Sequence, residues 1–294
     1  MKNFNYKKSV PPVFFKRRGI FSLPLLGFLP ALVFSQSARA EVLALSTAIN
    51  RSGRIRALSQ RLAKAHIQIA LGVLPGKAQE IVITAQALIL RNLSDLKTVQ
   101  SFAPVLLARV EADSKTLINA VNQTPSKASS LEVSDLSDVL LASAEKLTAA
   151  FEGQGKNNSA KLINTAGRQR MLSQRVSKLY FLSSAGHSNP TVKREMENAR
   201  AQFKTGLMTL ASAPVTTPNI KAFLELGRTQ WMFMEDALTK PTDAVQMRNV
   251  ATSSERVLEV MNDLADEYDL ALKEILGLAS NSTTQFAMLN LRSV

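Results

Sequence analysis

Two arginines, Arg56 and Arg170, occupy the same place in a sixteen-residue segment that the chain carries twice. The copies span residues 49–64 and 163–178, 114 positions apart, and ten of the sixteen pairs are identical. A guanidinium group presents a planar fork of donors that fits a carboxylate or another oxyanion. The repeated segment is therefore a candidate site for a small anion, with Arg56 and Arg170 as the residues that bind it.

The identical pairs are mostly polar residues or glycine, whereas a helix that only packs into a core would repeat its leucines. We interpret these pairs as supporting residues of the candidate site. They are Asn50, Gly53, Arg54, Ser59, Gln60 and Arg61 in the first copy, and Asn164, Gly167, Arg168, Ser173, Gln174 and Arg175 in the second.

When the first copy is plotted as a helix, Gly53, Arg56 and Gln60 fall opposite its apolar stripe. A glycine inside a helix costs roughly 1 kcal/mol relative to alanine, so its presence in both copies indicates that another helix approaches closely. Parallel pairing of the two motif helices would set Gly53 against Gly167 and Arg56 against Arg170, with an anion between the guanidinium groups. The alternative is that both arginines pair with acids on neighbouring helices and the motif records packing alone.

The chain beyond residue 41 has the apolar spacing of amphipathic helices, and no stretch alternates at period two for long. The sequence predicts an all-α fold of two tandem antiparallel four-helix bundle units, residues 41–152 and 158–280, with a tail at 281–294. A match between residues 144–147 and 254–257, at an offset of 110, extends the duplication to the last helix of each unit. The predicted helices are 42–72, 77–100, 104–122, 134–152, 158–186, 190–211, 218–239 and 243–279.

The first forty residues have the features of an export signal. A basic region precedes an apolar run broken by two prolines, and Ala38, Arg39 and Ala40 form a small-x-small cleavage site before Glu41. The apolar run is shorter than the roughly 20 residues that a membrane-spanning helix needs, although a retained anchor is the alternative. We expect a periplasmic or secreted protein, exported by the Sec or, given Arg17 and Arg18, the twin-arginine route.

The composition excludes several classes of site. The chain has no cysteine, which excludes disulfides, thiolate metal ligands and cysteine nucleophiles, and its two histidines stand at no metal-ligand spacing. The net charge of +13 includes seven basic residues of the leader, and the remaining surplus of six does not require nucleic acid as a partner. We expect no metal, no cofactor and no catalytic activity.

At these residues a family resemblance adds to the interpretation. The segment Ile-Asn-x-[Ser/Ala]-Gly-Arg-x-Arg-x-Leu-Ser-Gln-Arg closely resembles the first helix of the PilJ-type N-terminal sensor domain of type IV pilus chemotaxis transducers. It is similar, more distantly, to the periplasmic region of NarX-like nitrate and nitrite sensor kinases. That resemblance implies that the arginine three residues after the glycine, here Arg56 and Arg170, grips an anion at a dimer interface.

Two functions follow as expectations. The first is an exported sensor-type binding module that recognises a small anion, nitrate-like, nitrite-like or a carboxylate, and relays its state to a membrane-bound signalling or pilus partner. We expect such a partner because the sequence shows no second transmembrane segment, kinase core or methyl-accepting region. The second is a ligand-free helical adaptor or structural protein of the envelope or type IV pilus system. The oligomeric state stays open.

Overall fold

The computed structural model describes residues 31–98, 102–154, 158–215 and 217–290. Within those ranges the chain forms eight helices and no strand, so the prediction of an all-α helical bundle is confirmed. The helices are α1 (Ala31–Ala70), α2 (Pro75–Lys97), α3 (Pro104–Val121), α4 (Lys127–Gln154), α5 (Asn158–Leu182, followed by a π-helical turn at Ser183–His187), α6 (Pro190–Ala211), α7 (Pro218–Thr239) and α8 (Ala244–Asn290).

The leader prediction is only partly covered by the structure. Residues 1–30 lie outside the described residues, and the predicted cleavage point between Ala40 and Glu41 falls inside α1. The export signal therefore stays a prediction. In the part of the chain that the structure describes, no helix is both long enough and apolar enough to cross a membrane.

Proline and hydroxyl side chains start several of these helices. Helices α2, α3, α6 and α7 each have proline in the first turn, where the missing N–H would have no intrahelical acceptor. Helix α4 begins at Lys127, and the predicted start at residue 134 was wrong. The reason is a reciprocal cap: Ser129 N donates to Ser126 Oγ at 3.0 Å, and Ser126 N donates to Ser129 Oγ at 2.9 Å.

Helices α1 and α5 form the centre of the molecule and pack along each other. Helix α1 also packs against α2 and α4, and α5 packs against α6 and α8. Ile49 and Ile163 belong to one buried cluster, and Ile67 and Phe181 belong to another, so the same spacing of 114 residues relates both pairs. The two motif helices therefore run parallel and in register, as the duplicated segment predicts.

Candidate functional site

Arg56 on α1 is completely buried at the contact between α1 and α5. Its Nη1 donates to Glu145 Oε2 on α4 at 2.5 Å, and its Nη2 donates to Asn164 Oδ1 on α5 at 2.7 Å. The guanidinium group thus joins three helices. Its partners are a carboxylate that is about one-third exposed and an amide of the other motif helix.

Arg170 on α5 repeats this arrangement from the other side. Its Nη1 donates to Asn50 Oδ1 on α1 at 2.7 Å, and its Nη2 donates to Asp266 Oδ1 on α8 at 2.9 Å. Each arginine therefore binds the motif asparagine of the opposite helix and a carboxylate of the helix that ends its own half. The sequence left open whether the arginines face each other or internal acids, and the geometry shows internal acids as their direct partners.

The motif glycines make room for these guanidinium groups. A Cβ atom at Gly53 would lie 3.0 Å from Arg56 Nη2. A Cβ atom at Gly167 would lie 3.7 Å from the same nitrogen and 4.0 Å from Arg170 Nη1, so both guanidinium groups approach Gly167. We expected a neighbouring helix to require the glycines. At Gly167 this holds in part, because the nearest atom belongs to the side chain of Arg56 on the neighbouring helix α1. At Gly53 it does not, because the nearest atoms belong to Arg56 of the same helix.

Further along the same contact, two carboxylates each hold an arginine and a lysine from the motif of the opposite half. Both lysines are fully buried. A buried ammonium group must be paired, because desolvation of an isolated charge costs several kcal/mol. The pairs are Arg61 and Lys64 of α1 with Glu255 of α8, and Arg175 and Lys178 of α5 with Asp138 of α4.

The remaining arginines that both copies of the motif share, Arg54 and Arg168, complete the set of contacts between the halves. Arg54 on α1 binds Asp266 on α8 at 2.7 Å, and Arg168 on α5 binds Glu145 on α4 at 2.5 Å. We call the contacts of all eight cations the polar seam. Its members are Arg54, Arg56, Arg61, Lys64, Arg168, Arg170, Arg175 and Lys178, with the carboxylates Asp138, Glu145, Glu195, Glu255 and Asp266.

The motif glutamines fix how the two halves correspond. Gln60 Nε2 donates to the Ser137 carbonyl at 3.1 Å, and Gln174 Nε2 donates to the Ser254 carbonyl at 2.9 Å. Ser137 and Ser254 are 117 residues apart, so the match at an offset of 110 between α4 and α8 was wrong by two helical turns. The motif serines, Ser59 and Ser173, act locally, each donating to the backbone carbonyl three residues before it.

Burial and ion pairing have opposite effects on the pKa values of the seam residues. Burial alone raises the pKa of Glu255, but Lys64 and Arg61 outweigh that effect and lower the pKa to about 2. Burial lowers the pKa of Lys178 to about 8 despite the nearby carboxylate of Asp138. The seam is therefore an ionised network in which the carboxylates offset the cost of desolvating the buried cations.

Sequence reasoning missed the acids of the seam and both of its lysines. The lysines were detectable, because Lys64 and Lys178 are an identical pair of the duplicated segment. The acids carried no such signal, since they lie on other helices at positions that the wrong offset did not align. No group of three or more histidine, cysteine, aspartate or glutamate residues that could hold a metal ion occurs among the described residues.

Comparison with known families finds a match for part of the chain. Residues 154–265 match the family described as type IV pili methyl-accepting chemotaxis transducer N-terminal domains, PilJ. The second half of the chain carries a PilJ-type domain. The PilJ match contains the second copy of the motif and most of α8, and it identifies a sensor- or transducer-related helical domain. No curated protein and no solved structure matches the chain.

The glycines provide a first test of the seam. Gly167→Ala is expected to raise the free energy of unfolding by up to about 1 kcal/mol, because alanine favours the helix and the new Cβ would meet Arg56 at an ordinary contact distance. Gly53→Ala should gain less or lose stability, since Arg56 would have to move. Urea denaturation of both variants measures the difference. Equal gains would contradict the packing of Arg56 over Gly53.

A second test removes one carboxylate. Asp138→Asn leaves the buried ammonium of Lys178 without its counter-charge, so we expect the free energy of unfolding to fall by about 3 kcal/mol. Asp135→Asn, an exposed change of the same charge on the same helix, is the matched control and should change stability by less than about 0.5 kcal/mol. Equal losses in the two variants, measured in urea, would show that Asp138 does not hold Lys178.

The third prediction concerns acid. Because the folded-state pKa of Glu255 is about 2 and its ordinary value is 4.5, its contribution is complete above pH 4.5 and is lost as the pH falls towards 2. Melting curves between pH 7 and pH 3 should show stability decreasing below about 4.5. In Glu255→Gln this decrease should be smaller, with a lower starting stability at pH 7. An unchanged acid dependence would place the titrating groups elsewhere.

Proposed function

We propose that the protein is an exported sensor-type module that recognises a small anion at the polar seam and relays its state to a membrane-bound signalling or pilus partner. The PilJ-type domain at residues 154–265 supports the sensory role, since that family forms the N-terminal part of chemotaxis transducers. The leader at residues 1–40 supports export, with either the Sec or the twin-arginine route. The anion is nitrate-like, nitrite-like or a small carboxylate.

The observation that carries this proposal is the charge balance of the seam. The eight cations that both copies share form ion pairs with five carboxylates. Glu152 and Asp269 lie beside them and bind Asn164 and Asn50, so the seam keeps a surplus of one positive charge. Arg56 and Arg170 are fully buried beside Gly167. Their guanidinium groups, which bind carboxylates in this structure, would bind the anion. An added anion would reduce the repulsion between these cations.

Entry of the anion requires an internal acid to leave. The side chains of Glu145 and Asp266 are 34% and 48% exposed, whereas the guanidinium groups of Arg56 and Arg170 have almost no contact with water. Either carboxylate can turn out to solvent while an anion takes its place on Arg56 or Arg170. In one state of the module, Arg56 and Arg170 would bind the internal carboxylates. In the other, one of them would bind the ligand. The ligand would shift the populations towards the second state, because it binds that state only.

We also propose that the first half, residues 41–152, is a PilJ-type and NarX-like unit like the second, residues 158–280. The matched motif contacts of α1 and α5 support this, because every cross-half contact of one motif helix has a chemical counterpart in the other. A single chain would then supply internally the two-fold seam that a sensor dimer forms between two chains.

A ligand-free adaptor is the second candidate, and one observation favours it. The guanidinium groups of Arg56 and Arg170 already have a carboxylate and an asparagine as partners. In that case the seam serves to fix the parallel register of α1 and α5, and the partner of the protein is another protein of the envelope or pilus.

A melting-curve screen separates the two functions. The wild-type protein is tested with nitrate, nitrite, sulfate, phosphate and acetate at fixed ionic strength. A binding module should show a saturable gain for one of them, about 2.7 kcal/mol at one hundred times its Kd. Glu145→Gln should bind that anion more tightly, because its internal competitor is gone. Glu132→Gln, an exposed change of the same charge on α4, is the matched control.

Three outcomes decide the question. A wild-type gain that becomes stronger in Glu145→Gln, is unchanged in Glu132→Gln and is absent in Arg56→Met supports recognition at the seam. No gain for the wild type under any anion supports the adaptor, even if Glu145→Gln gains stability from an anion that fills its vacated site. A wild-type gain that Arg56→Met and Arg170→Met both retain would place anion binding away from the seam.

A further inference from the structure

A groove opens on the surface between α4 and α6, with α5 as its floor. Its volume is about 400 Å³, which is within the usual range for small-molecule sites. The floor is apolar, formed by the nearly buried Met171 and Leu172 of α5, with Leu141 of α4 and Ala199 of α6 at the sides. A ligand with an apolar body would bury that body against these four side chains.

Charged pairs close the two ends of the groove. Arg168 and Glu145 form one end, and Arg175 and Asp138 form the other. Arg168 and Arg175 are seven residues apart on α5, and Asp138 and Glu145 are seven residues apart on α4. Seven residues of a helix span roughly 10 Å, so the two ends of the groove are about that far apart. The apolar floor between the ends has room for a chain of several carbon atoms.

Arg168 is the cation that a ligand could reach. Its side chain is 41% exposed, and its Nη1 donates to Glu145. Its Nη2 has only a long contact of 3.3 Å with Gln202 Oε1, at the edge of the groove. A neutral amide is a weaker partner for a guanidinium group than a carboxylate, so a ligand carboxylate could replace Gln202.

The charges behind the groove favour an anion over a cation. The carboxylates of Asp138 and Glu145 are not free to attract a cation, because each is also held by a fully buried base beneath the floor. The lining itself has two cations and three acids, and the two buried bases beneath it bring the count to four cations and three acids. The cations are Arg56, Arg168, Arg175 and Lys178, and the acids are Asp138, Glu145 and Glu195.

A related groove lies at the corresponding place between α8 and α2, and its lining carries different charges. The correspondence of Ser137 with Ser254 sets Glu259 of α8 opposite Ala142 of α4, and each of these residues lines its own groove. Glu259 brings a negative charge into the second groove, where the first has a methyl group. Because Lys77 and Arg256 also line the second groove, net charge does not separate the two grooves. The first groove is chosen for Arg168, whose Nη2 contacts only a neutral amide.

We propose that the groove between α4 and α6 binds a monocarboxylate with an apolar body about as long as hexanoate. The ligand carboxylate binds Arg168, and the chain lies on Met171 and Leu172 towards Arg175. This site goes beyond the proposed function, because it takes an organic acid with an apolar body at the surface groove, whereas the proposed function places a small anion on the buried Arg56 and Arg170.

The test uses the full chain and isothermal titration with acetate, butyrate and hexanoate. Affinity should rise along the series, by up to about fourfold for each added methylene group that is buried. Hexylamine and hexanol carry the same chain without the carboxylate and should not bind. Arg168→Gln should weaken hexanoate at least about tenfold, through loss of a charge-assisted hydrogen bond.

Two matched variants locate the site. Ala142→Phe fills the groove from an exposed position and should abolish hexanoate binding, whereas Thr252→Phe, exposed in the related groove, should leave it unchanged. Circular dichroism and melting temperature verify that each variant is folded. The proposal is overturned if hexanoate does not bind, if hexylamine binds as well, or if Thr252→Phe loses as much as Ala142→Phe. The melting temperature of the wild type with and without nitrate, measured alongside, tests anion binding at the seam separately from hexanoate binding in the groove.

Discussion

Four buried cations set the main constraint on this structure. Arg56, Lys64, Arg170 and Lys178 are all inaccessible to water at the contact between α1 and α5. A charge in that position is tolerated only when a carboxylate and further hydrogen bonds satisfy it. Helices α4 and α8 supply those carboxylates, so their position along the molecule follows from where the cations of α1 and α5 lie.

This constraint explains why polar residues are repeated in the duplicated segment. Replacement of a buried ion pair by well-packed apolar residues is often neutral or stabilising, so ion pairs are a weak source of stability. Ion pairs depend more strictly on the relative position of two helices than apolar contacts do. A slip of α5 along α1 by one turn would separate Arg170 from Asn50 and Lys178 from Asp138, and each loss would leave a desolvated charge. The seam thus specifies one register, while the apolar clusters on either side contribute most of the free energy.

The sequence was sufficient for the parts of the fold that depend on local pattern. Apolar spacing predicted an all-α chain, and the repeated glycine and arginine predicted that α1 and α5 pair in parallel. The carboxylate partners were not predictable, because Glu145 lies 89 residues from Arg56 and Asp266 lies 96 from Arg170. Ion pairs at that separation depend on how helices pack. Glu145 and Asp266 are 121 residues apart, about one helical turn more than the offset of 117 that relates Ser137 to Ser254, so no single alignment of α4 with α8 would have matched them. The start of α4 was missed for a local reason, since two serines that cap each other resemble a loop.

The seam joins two halves of one chain, and this affects both how strongly the halves associate and how their sequences can diverge. Association of the halves does not depend on protein concentration, because the covalent connection holds the second half near the first at all times. In an interface between identical subunits every substitution appears twice, on both sides of the axis. Here the two sides can change one at a time. Gln169 stands where the first copy has Ile55, and its amide lies so close to Gly206 of α6 that a methyl group there would collide with it. Such one-sided fitting is available only to a seam whose two faces are encoded separately.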